Sequence, residues 1–272
     1  SGDDNGFAVA VDSQNNVYLG GETRSSTNIA FGGHQNAYGG GFNDAFLVKF
    51  NSAGQRQWAT YYGGNNLDDG AAIATDQNNN FIIAGQTNSN NLPATAGTFQ
   101  PAYAAASDAF VAKFSTAGMR LWGTYYGGSV LDDGYACTAD IAGNVYLLGL
   151  TESSGNIASS NAYQPTMNGP RDAFFVKFNT NGTRQWGTYF GGTGIEVGTA
   201  ASTDAAGNLY FCGWTTSGSD IATNGTQQAA YAGGSDDSFI EKFRPNGTRV
   251  WGTYIGGSGY DHINGCEADS GY

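Results

Sequence analysis

Asp44-Ala-Phe-Leu-Val-Lys-Phe50 is the stretch that decides the fold, because close copies of it return three more times along the chain. The copies are Asp108-Ala-Phe-Val-Ala-Lys-Phe114, Asp172-Ala-Phe-Phe-Val-Lys-Phe178 and Asp237-Ser-Phe-Ile-Glu-Lys-Phe243. The segment Arg56-Gln-Trp-Ala-Thr-Tyr-Tyr62 likewise returns at Arg120, Arg184 and Arg249. The spacing is 64 residues, with one residue inserted in the fourth unit. A constant period of this length predicts an array of similar structural units.

Each unit is predicted to form four antiparallel strands, called A to D in chain order. In the first unit they follow one another at Phe7–Asp12, Val17–Gly21, Asp44–Phe50 and Arg56–Tyr62. The A–B and C–D turns contain Asn or Gly where a tight hairpin needs a positive φ. The Asp that opens each A–B turn is expected to accept backbone N–H bonds rather than to catalyse.

The distribution of side-chain size predicts how the sheets are joined. A propeller and a solenoid stack are the two main solutions for a chain of such sheets. Strand A carries small residues such as Ala8 and Ala72, whereas strand D carries Trp58 and its counterparts. Small residues suit strands that crowd around an axis, and bulky ones fill the space where outer strands diverge. The sequence therefore predicts an all-β β-propeller of four-stranded antiparallel blades, with the Trp side chains packed between blades.

The blade boundaries follow from the period. Four full blades occupy residues 1–64, 65–128, 129–192 and 193–257, and a partial fifth unit occupies 258–272. We expect these residues to form part of a larger ring, with a compact four- or five-bladed ring as the alternative. The chain begins in phase with a repeat and shows no signal peptide, so we expect a mature or excised piece.

Three motifs connect the chain to a known repeat. Gly-Gly-x-x-x-Asp-Asp-Gly occurs at 127–134, Asp-x-x-Gly-Asn-Val-Tyr-x-x-Gly at 140–149, and Asp-Ala-Phe-Phe-Val-Lys-Phe at 172–178. Together they resemble the bacterial SBBP-type β-propeller repeat over essentially the whole chain. The resemblance implies a secreted or surface-exposed bacterial protein with a binding or structural role, and it implies no shared catalytic residues. The chain departs from the pattern at Glu196-Val and at Tyr260-Asp-His.

Composition narrows the classes of partner. The formal net charge is −12, and eight of the eleven Lys and Arg residues recur at two repeat positions. No basic patch remains for a phosphate backbone, so we expect no nucleic-acid partner. No apolar run reaches the length of a membrane span, so we expect no direct membrane insertion. A protein or glycan partner at the cell surface is the expectation that remains.

Positions that escape the period are the candidates for binding. Position 22 of the repeat is occupied by Glu22, Gln86, Leu150 and Trp214. It lies where strand B enters the long B–C loop, and loops of this kind carry binding residues in many folds. Trp214 could stack on a sugar or a partner side chain, although covering the base of its loop is the more ordinary role. The binding candidates are therefore Trp214, His34, Glu22 and Gln86.

Paired acids in the links between units are candidates for a metal site. They are Asp68 with Asp69 and Asp132 with Asp133. Clustered carboxylates suit Ca²⁺, which takes six to eight oxygen ligands, although no spacing matches a known calcium loop. The alternative is that each pair caps backbone N–H groups of the next blade. No other cofactor is expected.

The sequence thus predicts a non-enzymatic extracellular module that presents one face to a protein or glycan. This face, the long-loop face, carries the B–C loops within units and the D–A links between units. The alternative is a glycan hydrolase or lyase with acidic residues at the mouth of the ring. Because the acids recur in nearly every unit, the first interpretation is favoured. The three cysteines are too few for a disulfide framework, and a Cys212–Cys266 bridge between neighbouring units stays open.

Overall fold

The computed structural model describes residues 2–269, and within them it contains sixteen β-strands and no helix. The first sheet comprises β1 (Asp4–Val11), β2 (Val17–Thr23), β3 (Asp44–Phe50) and β4 (Arg56–Tyr62), and the second comprises β5 (Asp68–Thr75), β6 (Phe81–Thr87), β7 (Asp108–Phe114) and β8 (Arg120–Tyr126). The third comprises β9 (Asp132–Ala139), β10 (Val145–Thr151), β11 (Asp172–Phe178) and β12 (Arg184–Phe190), and the fourth β13 (Glu196–Thr203), β14 (Leu209–Thr215), β15 (Asp237–Phe243) and β16 (Arg249–Ile255). Every sheet is antiparallel with its strands in chain order, so the predicted all-β class and blade topology are confirmed.

The first strand of each sheet lies on the inside. Strand β1 packs against β5, β5 against β9, and β9 against β13, and these four strands line a common central cavity. We call them the inner strands. Their many Ala, Gly, Ser and Thr residues let four sheets converge on one axis, which is the arrangement of propeller blades. No helix long and apolar enough to span a membrane occurs in the described part of the chain.

Each A–B turn is closed by its own aspartate. Asp12 accepts hydrogen bonds from the backbone N–H groups of Gln14 and Asn16, both at 2.9 Å. The same carboxyl group lies beside a lysine of strand C, and in the second and third units the Lys113–Asp76 and Lys177–Asp140 pairs close to 2.7 and 2.9 Å. The turn Asp and the recurring Lys therefore serve the scaffold.

The recurring tryptophans join neighbouring blades. The indole Nε1 of Trp58 donates to the carbonyl oxygen of Thr116 in the next blade at 3.0 Å, and Trp122 and Trp186 make the same bond to Thr180 and Pro245. The indole lies flat over the turn glycine that follows this carbonyl. A Cβ atom on Gly118 would approach the Trp58 ring to 2.7 Å. Only glycine allows this contact, and Gly118 also has a φ of +78°.

Two glycine substitutions separate backbone strain from this packing. Gly54 is the counterpart of Gly118, with a φ of +74° but no atom within 4 Å of an added Cβ. We expect Gly54→Ala to cost about 1–2 kcal/mol of unfolding free energy from positive φ alone. Gly118→Ala should cost a further ~1–3 kcal/mol, because it also displaces Trp58. Urea unfolding of both variants measures the difference, and equal losses would show that the indole does not constrain the turn.

The segment after β16 continues the pattern of the inner strands. The Thr199 hydroxyl on β13 donates to the carbonyl oxygen of Ile263 at 2.7 Å, and the Ala268 N–H donates to the Ser202 hydroxyl at 2.5 Å. Residues 258–268 therefore lie along the fourth blade where the inner strand of a fifth unit belongs. At the other end of the array, Val9 on β1 is 64% exposed. The size of the complete ring stays a prediction.

Candidate binding site

The central cavity opens on the long-loop face and has a volume of about 430 Å³. Strand β2 ends and β5 begins on this face, so residues near those ends surround the opening. Four lining residues occupy one repeat position on the four inner strands: Phe7, Ala71, Tyr135 and Thr199. The other side chains at the opening are Glu22, Asp69, Gln86 and Asn264. The scaffold thus places a different side chain from each blade around one space.

Two carboxyl groups meet at this opening. Glu22 ends strand β2 of the first blade, and Asp69 begins strand β5 of the second, and their side chains share a hydrogen bond. The Asn43 amide donates to Glu22 at 2.6 Å and also to Asp69. Asn5 donates to Glu22 at 2.9 Å and Gln86 donates to Asp69 at 3.0 Å. The structure therefore brings the predicted residues Glu22, Gln86 and Asp69 together, and Asn5 and Asn43 were missed by sequence reasoning.

The environment separates the pKa values of the two acids. Burial, followed by the hydrogen bond with Glu22 and the repulsion of its charge, raises the pKa of Asp69 to about 7. Burial also acts against ionisation of Glu22, but the hydrogen bond from Asp69 and the amide donors hold the pKa of Glu22 below its usual value. Near neutral pH the pair therefore carries between one and two negative charges, which favours a cationic or hydrogen-bond-donating ligand group.

The same rim position carries a different pair at each blade junction. Each pair joins the end of strand B in one unit to the beginning of strand A in the next. By repeat position the pairs, in chain order, are Glu22 and Asp69, Gln86 and Asp133, Leu150 and Val197, and Trp214 and His262. Side-chain contacts are seen in the first pair and in the last. The scaffold repeats while this position varies from acidic to amide, apolar and aromatic. The varied position is therefore the part of the rim that gives the cavity an asymmetric chemistry.

Trp214 is partnered inside the protein. Its ring stacks on His262 with centroids 4.7 Å apart and planes 12° from parallel, and the Tyr260 ring lies 4.0 Å from His262 on centroids. The indole remains partly exposed at the end of β14. The sequence did not indicate this contact, because Trp214 and His262 lie 48 positions apart.

His34 lies apart from the cavity. Its imidazole meets the edge of the Phe114 ring at 6.2 Å between centroids, and His34 does not line the central opening. Burial, assisted by the charge of Arg120, lowers the pKa of His34. His34 was predicted as a binding candidate in its own right, and the structure places it away from Glu22 and Gln86.

The predicted metal-binding acids have protein partners. Asp68 accepts hydrogen bonds from the Ser89 hydroxyl and the Gly64 N–H, each at 2.7 Å, and also from Thr87. Asp132 has the same arrangement, and Asp133 accepts from the Ser107 hydroxyl at 3.0 Å. Asp69 belongs to the rim pair. Among residues 2–269 no three His, Cys, Asp or Glu side chains lie close enough to share a metal.

Calcium binding stays a prediction that melting curves can test. Thermal unfolding is measured with added CaCl₂ and with excess EGTA. A lower melting temperature in EGTA is the outcome that the sequence prediction expects, because a ligand that binds only the folded state stabilises it. An Asp133→Asn variant should then lose the difference. Identical melting curves in both solutions would show that the folded protein does not bind calcium.

The buried acids predict an unusual dependence of stability on pH. Burial raises the pKa values of Asp44, Asp108 and Glu196 to about 7, from ordinary values of 3.8 and 4.5. The folded state therefore holds more protons than the unfolded state between about pH 4 and 7, and the unfolding free energy falls as pH rises through this window. We expect a higher melting temperature at pH 5.5 than at pH 8.

Glu196→Gln tests the cause of this pH dependence. The neutral amide stands in for the protonated acid, which accepts hydrogen bonds from Thr215 and Ser217. In this variant the change in unfolding free energy between pH 5.5 and pH 8 should be smaller by on the order of 1–3 kcal/mol. The matched control, Asp220→Asn, alters an exposed acid and should leave the slope unchanged. If the unfolding free energy of Glu196→Gln varied with pH as steeply as that of the unaltered protein, Glu196 would not be a cause of the pH dependence.

Comparison with known proteins gives one distant similarity. No known protein-family profile matches the chain. A stretch of 230 residues is 24% identical to an uncharacterized WD repeat-containing protein of Acanthamoeba polyphaga mimivirus. This stretch covers 74% of the chain but 17% of the viral protein. The similarity supports a β-propeller repeat protein.

Proposed function

We propose that this chain is a non-enzymatic binding module that takes a basic protein segment at the mouth of its central cavity. The observation that carries the proposal is the Glu22–Asp69 pair, which occurs at one blade junction of an otherwise repeating scaffold. A propeller repeat fold suits such a role, because its blades form a rigid frame and its loops present varied side chains.

The lining of the cavity supports a Lys or Arg side chain as the bound group. Two carboxyl groups and the Gln86 amide provide oxygen acceptors on one side. The rings of Phe7 and Tyr135 lie among the lining residues, and an aromatic face attracts a cation within about 6 Å. The net charge of −12 adds a long-range attraction for a basic partner.

The same proposal places the protein outside the cell, secreted or on the surface of a bacterium. Its support is the resemblance of the motifs at 127–134 and 140–149 to a repeat of secreted and surface-exposed bacterial proteins. We prefer a protein partner to a glycan because the negative charge of the acidic pair attracts a Lys or Arg side chain but not a neutral sugar.

A peptide array tests the proposed binding. We expect peptides that contain Lys or Arg to bind, and their acidic counterparts not to bind. Glu22→Gln with Asp69→Asn should weaken binding at least ~10-fold, since a hydrogen bond to a charged group contributes about 1.5–3 kcal/mol. Affinity should rise from pH 6 to 8, because Asp69 ionises in that range and the bound cation favours its charged form.

The controls separate this site from general charge. Asp220→Asn removes one exposed acid outside the central cavity and should keep the affinity. A glycan array with Trp214→Ala as its control covers the other ligand class. Selective binding of glycans that is lost in Trp214→Ala, with no peptide bound, would replace the protein partner by a sugar.

A second candidate, a glycan hydrolase or lyase, is favoured by the same pair of acids, which occurs at one blade junction. Asp69 with a pKa of about 7 could act as an acid and Glu22 as a base. Against this, the two carboxyl groups hydrogen-bond to each other, whereas glycosidases separate theirs by about 5–9.5 Å around the bond they cleave. Turnover of a polysaccharide panel that disappears in Asp69→Asn would establish the enzyme.

A further inference from the structure

Cys212 and Cys266 lie on opposite sides of one junction between units. Cys212 is buried on strand β14 of the fourth blade, and Cys266 is half-buried in the segment that follows β16. The third cysteine, Cys137, is buried in the core between the second and third blades. The repeat thus offers one pair of thiols at a single interface and keeps the third apart.

The period explains why these two side chains face each other. Cys266 occupies the repeat position of Ile73, and Cys212 occupies that of Gly20. At the first junction, a methyl group of Ile73 fills the space into which a Gly20 side chain would project. At the last junction the two thiols take these places, and they lie close enough that Cys266 lowers the pKa of Cys212 while Cys212 raises the pKa of Cys266.

Two hydrogen bonds fix the register of the segment on either side of Cys266. The carbonyl of Ile263 accepts from Thr199, and the N–H of Ala268 donates to Ser202. Both partners belong to β13, which pairs Ala200 with Cys212. These two bonds therefore hold Cys266 against the fourth blade, on the side where Cys212 lies.

We propose that Cys212 and Cys266 form a disulfide that ties residues 258–268 to the fourth blade. The chemistry is thiol–disulfide exchange with a small disulfide such as oxidised glutathione. The Cys266 thiol, the more accessible of the two, gives up its proton as it attacks this disulfide, forms a mixed disulfide and releases one glutathione thiolate, which takes up a proton. The Cys212 thiolate then attacks the Cys266 sulfur and releases the second. Two protein thiols lose two electrons and two protons, and one glutathione disulfide becomes two thiols.

The bond would act as a latch at the last junction. The segment 258–268 is held to β13 by few hydrogen bonds, and its residues do not form a regular strand. A covalent link removes the freedom of this segment to leave the blade. It also restrains His262, which stacks on Trp214 near the end of β14. The oxidised protein would therefore hold the Trp214–His262 stack more rigidly than the reduced one.

Mass spectrometry after treatment with oxidised or reduced glutathione tests the bond. The oxidised protein should lose two hydrogen masses and keep one alkylatable thiol, Cys137. Trypsin should release a linked pair of peptides, 185–242 and 250–272, that separates on reduction. Three free thiols after oxidation, glutathione retained on Cys266, or a dimer linked between molecules would each overturn the proposal.

Two cysteine variants test whether the disulfide holds residues 258–268 on the fourth blade. Cys137→Ser should still form the linked pair, whereas Cys266→Ser, which alters only the peripheral segment, should stay monomeric and unlinked. Oxidation should raise the melting temperature and slow proteolysis within 258–268 in the protein and in Cys137→Ser, and should change neither in Cys266→Ser. Linked peptides without any such protection would disprove the latch while leaving the bond in place.

Discussion

The contact between an indole and the turn of the next blade is the interaction on which the rest of the structure depends. Trp58, Trp122 and Trp186 each combine a buried ring, a hydrogen bond to a turn carbonyl and a glycine on which the ring lies. This contact sets the spacing of neighbouring sheets at their outer edges. Small residues set it at their inner edges. Blades held at both edges bring the ends of β2 and β5 to one opening, which is how residues far apart in sequence come to share a cavity.

The blade fold could be predicted from the sequence because residues that recur in every unit have structural roles. A residue type that returns in every unit, such as the turn Asp or the Trp of strand D, serves something that every unit has. The repeated acids Asp68 and Asp132, which the sequence also offered as candidate calcium ligands, accept hydrogen bonds from a side chain of their own blade and from a backbone N–H of the link that precedes it. Varied positions were recognised as candidates; two of them, Glu22 and Gln86, line the central cavity, and Trp214 occupies the same repeat position in the fourth blade.

What the sequence could not supply was the partner of each varied residue. Strand B of one unit meets strand A of the next, so the pairs Glu22–Asp69 and Trp214–His262 join residues about 50 positions apart. Their contact depends on the angle between blades, which no local pattern reports. For the same reason the sequence did not indicate that the candidate His34 packs on Phe114 of the next blade. The pKa of Asp69, about 7, also follows from burial and a neighbour that only the fold brings close.

The central claim is that the repeated residues form the frame and the varied rim pair determines what binds. Replacing Glu22 and Asp69 by Leu and Val, the pair already present at the third junction as Leu150 and Val197, tests it most directly. The account predicts that this double variant folds, since the same junction tolerates the apolar pair, and that it no longer binds basic peptides in a calorimetric titration. Unchanged affinity in the folded variant would contradict the claim.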